Sequence, residues 1–137
     1  LKGILHPDDA REAARLQVGG LIVSNHGGRT LDTALPTAAA LPAIADAVGG
    51  SLPVLVDGGI RRGTDVLKAV ALGARAVLIG RPYVLALAVA GAQGVAHALR
   101  LLRDELEIAM ALAGCATLAD ARRELLFERP GSLLGAP

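Results

Sequence analysis

Cys115 is the only cysteine, so no internal disulfide can form, and with no CxxC pair or His/Cys cluster no metal site is expected. A reducing, cytoplasmic setting is the matching expectation. Tryptophan is absent and Tyr83 and Phe127 are the only Tyr or Phe residues, so a catalytic tyrosine or a stacking ring would have to come from outside these residues. Charge of one sign is missing too. A formal net charge of +1 creates no global field to draw in nucleic acid or an acidic membrane, which makes nucleic-acid partners an unfavoured reading and leaves anion binding to local geometry. The apolar stretch around Val84–Ala90 is interrupted by Gly91, Gln93 and Gly94, too short a run to predict a membrane-spanning helix, and no signal peptide is evident. A start at Leu1 without methionine, entering a motif almost at once, reads as a truncated beginning.

What is present is apolar and ordered: 53% of the 137 residues are hydrophobic and 20% charged, enough for one domain with a core and too apolar for disorder. Three short runs, Leu21-Ile22-Val23, Val54-Leu55-Val56 and Ala76-Val77-Leu78-Ile79, are apolar on both faces, as buried parallel strands are. Helical patterns lie between them. His6-Pro7-Asp8-Asp9 opens one that Gly19-Gly20 stops; Thr37–Val48 ends at Gly49-Gly50; Thr64-Asp65 is read as the cap of Val66–Leu72. A longer helix carries Val95, Leu99, Leu102, Leu106 and Met110 as one apolar stripe, and Thr117 is read as the cap of a last helix running toward Leu126. Residues 129–137 read as a flexible tail after a domain over 1–128.

Helix and strand alternating in this way predict an α/β fold with parallel strands and right-handed crossovers. Every strand ends in polar or glycine-rich chemistry: Ser24-Asn25-His26, Asp57-Gly58-Gly59 and Gly80-Arg81. Functional groups on successive strand ends favour a TIM (β/α)8 barrel over an open sheet, and this length supplies its C-terminal half.

Two constellations carry the chemistry. In Asp57-Gly58-Gly59-Ile60-Arg61-Arg62-Gly63-Thr64-Asp65 and Gly80-Arg81-Pro82, glycines admit close backbone approach, a following helix offers its positive end, and Arg61 and Arg81 can fork onto phosphate oxygens. In Ser24-Asn25-His26-Gly27-Gly28-Arg29, His26 can take a proton near neutral pH while Arg29 grips a carboxylate bidentately. By themselves these admit blander readings, a tight turn with solvated arginines or a structural histidine. Lys2, His6 and His97 read as solvated, Cys115 as a small packed side chain, and Asp120, Arg122, Arg123 and Glu124 as a charged helix face.

These motifs, with Lys2-Gly3-Ile4, Leu31-Asp32 and Ile79-Gly80-Arg81-Pro82, resemble the FMN-dependent α-hydroxy acid oxidases and dehydrogenases, which include glycolate oxidase, lactate oxidase, mandelate dehydrogenase and flavocytochrome b2. The resemblance runs from Leu1 to about Phe127. It implies FMN as cofactor and oxidation of a small L-2-hydroxy acid to the 2-keto acid. His26 would be the base, on the C2 or the hydroxyl proton, and Arg29 the carboxylate anchor. Lys2 would stabilise negative charge at the flavin N1/O2 edge, and Ser24 would bond the flavin or its ribityl chain. Asp57, Gly58, Gly59, Ile60 and Arg61 would line the ribityl phosphate, with Gly80 and Arg81 completing the clamp. It also implies a partner in an N-terminal half-barrel, and a homo-oligomer for the whole enzyme. Thr30, where many members have glutamine, and Asp32-Thr33-Ala34, where Asp-Gly-Ala is common, depart from the pattern. Two alternatives remain from sequence: another phosphate-binding barrel, such as isopentenyl diphosphate isomerase or IMP dehydrogenase, and a non-catalytic half-barrel.

Overall fold

The computed structural model describes residues 1–127. Its elements are β1 (Lys2–Ile4), α1 (Pro7–Arg15), β2 (Leu21–Val23), α2 (Thr37–Val48), β3 (Val54–Val56), α3 (Gly63–Ala71), β4 (Ala76–Val77) and α4 (Arg81–Leu112). The four strands form one parallel sheet in the order β1-β2-β3-β4. The fold is therefore α/β, as expected, and its strand order never reverses, so the described sheet has no switch point of the kind that opens a doubly wound fold.

Alternation along the strands sorts the side chains into two faces. Leu21, Val23, Val54 and Val56 are buried with Leu41, Ile44 and Val48 of α2 and Ala10 and Ala13 of α1 in the principal core. Full burial of a leucine or isoleucine such as Leu41 or Ile44 contributes about 1.5–3 kcal/mol, which is what seats α2 on the sheet. Ile22 and Leu55, register partners on the opposite face, are only half-buried. A parallel sheet ordinarily has both faces covered.

Several expectations need correction. Lys2–Ile4 is a strand, paired with β2 through a shifted register at Gly3, whose φ of +98° suits glycine. β4 stops at Val77 rather than Ile79, because β3 ends at Val56 and Asp57-Gly58-Gly59 turns out of the ladder. α3 starts at Gly63, and its cap is the Asp65 carboxylate, which accepts the Arg61 and Arg62 N–H groups at 3.0 Å each. The last predicted helix is two single 3-10 turns, Leu118–Asp120 and Arg123–Leu125, separated by extended backbone at Arg122. Thr117 does meet Asp120 in the first turn, and Arg123, partly exposed, also reaches Asp46 of α2 with paired bonds of 3.0 and 2.9 Å. His6 is exposed yet caps α1, its Nδ1 accepting the Asp8 N–H at 3.2 Å.

α4 is long and apolar enough to cross a membrane by length and composition. However, Ala90 and Gly91 leave helical geometry in its middle, and Leu102 and Leu106 beyond the break pack on the core; Leu99 of the predicted stripe is exposed. Cys115 is buried. The predicted tail over 129–137 lies outside the described residues.

Candidate active site

Parallel strands deliver their C-terminal ends to one edge of the sheet, and there the predicted residues converge. Lys2, His26, Arg29, Asp57, Gly58, Gly59, Ile60, Arg61, Gly80 and Arg81 all line one cleft of about 1020 Å³, whose far wall is Leu78, Ile79 and the first turn of α4. Ser24 is the one predicted residue behind the lining, buried beneath Lys2.

Lys2 from β1 reaches across two strand ends. Its ammonium donates to Ser24 Oγ at 2.7 Å and to Asp57 Oδ2 at 2.5 Å. Ser24 Oγ also accepts the His26 N–H at 3.1 Å, so one hydroxyl ties the lysine to the histidine backbone. The other Asp57 oxygen, Oδ1, is buried and has no hydrogen-bond partner among the described residues. A buried carboxylate oxygen without a donor costs free energy, so it marks a place where a donor belongs.

The His26 loop is bent by three successive left-handed residues: His26 at φ +54°, Gly27 at +68° and Gly28 at +71°. That conformation costs a non-glycine residue roughly 1–2 kcal/mol. Local bonds offset it: Asn25 Oδ1 accepts the Gly27 N–H at 3.1 Å, and the Asn25 carbonyl accepts the Gly28 N–H at 3.0 Å. The imidazole then lies over β1, where Gly3 makes the room; a Cβ at Gly3 would come within 2.8 Å of His26 Cε1. His26 and Arg29 are both exposed.

The glycine loop after β3 is held differently. Gly58 (φ +91°) and Gly59 (φ +80°) need glycine's backbone freedom, and a Gly58 Cβ would lie 2.9 Å from Thr37 Oγ1. Ile60 turns its side chain into the core, leaving only its backbone to any ligand. At the positive end of α3, Asp65 accepts the Arg61 and Arg62 N–H groups just ahead of the helix, and Glu105 of α4 takes the Gly63 N–H at 2.8 Å. At Gly63 a Cβ would run into the α4 backbone at Glu105 and Leu106. The start of α4 at Gly80, beside Arg81 in the cleft, has no side-chain cap. Thr37 and Glu105 were missed by sequence reasoning, and Gly3 figured only within the Lys2-Gly3-Ile4 motif. Each acts on residues 20 to 42 positions away, at no motif spacing.

The model of one protein family, the FMN-dependent dehydrogenases, matches residues 1–128. The chain belongs to the FMN-dependent dehydrogenase family. Among curated relatives, the family chain is 57% identical over 134 residues to an L-lactate oxidase of Roseobacter sp. (strain GAI101), covering 96% of itself and 36% of that protein. It is 56% identical over 123 residues to a peroxisomal (S)-2-hydroxy-acid oxidase of Oryza sativa subsp. japonica, covering 90% of itself and 34% of the relative. A solved structure of mandelate oxidase with benzoyl-formic acid superposes with a TM-score of 0.87 at 58% identity, over 90% of this chain and 37% of that one. The chain thus spans about a third of the length of the relatives it matches. The family match displaces the alternative of an isopentenyl diphosphate isomerase or IMP dehydrogenase.

Proposed function

We propose that these residues form the C-terminal half of a TIM (β/α)8 barrel that binds FMN and oxidises a small L-2-hydroxy acid to the 2-keto acid. The observation that carries this reading is the convergence of Lys2, His26, Arg29, Arg61 and Arg81 on one cleft at the strand ends. Two further features support the half-barrel. The sheet keeps sequential order, and its second face, at Ile22 and Leu55, is apolar but half-covered, as an inner face awaiting four more strands would be.

The residues suit FMN. The buried Asp57 Oδ1 lacks a donor of the kind a ribityl hydroxyl provides. Gly58 and Gly59 admit close approach, and Arg61, Arg81 and the uncapped end of α4 form a cationic seat for a phosphate. When bound, FMN supplies a two-electron acceptor.

Arg29 holds the substrate carboxylate through two parallel hydrogen bonds, which fixes the hydroxyl-bearing carbon toward His26. His26 removes a proton from the substrate as general base, and its backbone is kept in place by Ser24. Lys2, oriented by Ser24 and Asp57, contributes a fixed positive charge where negative charge develops. The relatives named for lactate, 2-hydroxy acids and mandelate make lactate and mandelate the first substrates to test.

The test uses the complete polypeptide carrying these residues. It should bind FMN stoichiometrically and bleach it anaerobically with an L-2-hydroxy acid. Arg29→Lys keeps the charge but loses the fork, so KM should rise about tenfold or more. A polypeptide that takes up no FMN, or an Arg29→Lys variant with unchanged kinetics, overturns the assignment.

A further inference from the structure

Thr37 has no place in the cleft, yet it is the most enclosed polar side chain after Ser24, 3% exposed. It opens α2, but its hydroxyl does not cap that helix. The hydroxyl points away to the loop after β3 and donates to the Asp57 carbonyl at 2.6 Å, with the Gly58 carbonyl at 3.4 Å. Thus buried, a threonine hydroxyl without that acceptor would be an orphaned donor, which makes the contact strongly specified.

The contact fixes more than one carbonyl. Asp57 donates its own N–H to the Val23 carbonyl at 3.0 Å, so its backbone is clamped on both sides of Cα and its carboxylate direction is set. That carboxylate holds Lys2, Lys2 holds Ser24, and Ser24 accepts the His26 N–H. One continuous hydrogen-bonded path therefore runs from the start of α2 across the ends of β3, β1 and β2. Packing closes the junction: the place a Gly58 Cβ would occupy lies 2.9 Å from Thr37 Oγ1 and 3.4 Å from Asn25 Oδ1, so the two loops meet over the threonine with no spare volume.

We propose that Thr37 is a positioning residue for flavin binding, its hydroxyl setting the Asp57-Gly58-Gly59 loop and, through Asp57, the Lys2 ammonium. The inference rests on the FMN reading above for its functional consequence, while its structural half does not need flavin.

Thr37→Val keeps the shape and removes the hydroxyl; Thr37→Ser keeps the hydroxyl and removes a methyl. In the complete polypeptide, Thr37→Val should speed amide hydrogen exchange at Gly58 and Gly59 about tenfold and raise the FMN Kd about tenfold, the scale of one lost hydrogen bond. Thr37→Ser should stay within about twofold of the parent in both. Exchange at Gly58 unchanged in folded Thr37→Val overturns the proposal. So does a serine variant as impaired as the valine one, and if the valine variant loses its fold the serine variant decides alone. Failure of the parent polypeptide to bind FMN would strike the functional reading instead, and the exchange measurement, made without flavin, would still judge Thr37.

Discussion

The two loops that face each other across the cleft are built on opposite principles. The His26 loop is held by neighbours in sequence: Ser24, Asn25 and His26 satisfy the N–H groups of His26, Gly27, Gly28 and Arg29, and residues 26–33 are all exposed. The Asp57 loop is held from far away, by Val23, Thr37 and Lys2, by Ile60 in the core and by Glu105 on the Gly63 N–H. Long-range anchors make the Asp57 loop a finished part of this chain. The histidine side, fastened only to itself and to β1, keeps the local freedom that an arriving substrate, or further polypeptide, can use.

Glycine substitutions test that contrast most strongly. Gly58→Ala adds a left-handed penalty to a collision with Thr37 and should cost about 2–4 kcal/mol by urea unfolding, whereas Gly27→Ala, whose Cβ meets nothing within 4 Å, should cost only about 1–2 kcal/mol. Equal costs would break the comparison. A smaller effect is expected at the far anchor: Glu105→Gln retains an acceptor but loses its charge at the positive end of α3, and should lower stability by about 0.5–1 kcal/mol. The smallest effect sharpens the contrast by lying outside both loops. The Thr117 N–H and hydroxyl hold the Asp120 carboxyl below its ordinary value, so its contribution is complete above the usual carboxylate range and lost as pH falls through the lowered one. An amide titration toward acid should move the Thr117 signal as the Asp120 carboxylate is protonated.

Much of this was legible because it is local. The strands at 21–23 and 54–56 and the helix at 37–48 follow from apolar runs bounded by glycine or proline, and each occupies the predicted residues. The site motifs sit on strand ends, where parallel topology forces convergence. What was missed depends on tertiary partners. β1 is three residues with a glycine inside, invisible until β2 pairs with it. Thr37 stands simply at the start of a helical run, and only the fold turns its hydroxyl toward Asp57. At the positive end of α3, Glu105, 42 residues on, takes the Gly63 N–H, a contact that cannot be seen from sequence. The final helix failed because Ala121 and Arg122 leave helical backbone between two turns that propensity alone would join.

Gly3 gives the site a weakness that no inventory of reactive groups would disclose. Its absent side chain is the floor under the His26 ring, 23 positions distant. A methyl there would strain the strand backbone, held at φ +98°, and would also meet the free end of an exposed side chain, which can swing away. Every acid, base and cation would still be present, and a protein judged by its functional groups would pass as intact. The His26 imidazole would simply face elsewhere, displaced by an ordinary-looking strand residue.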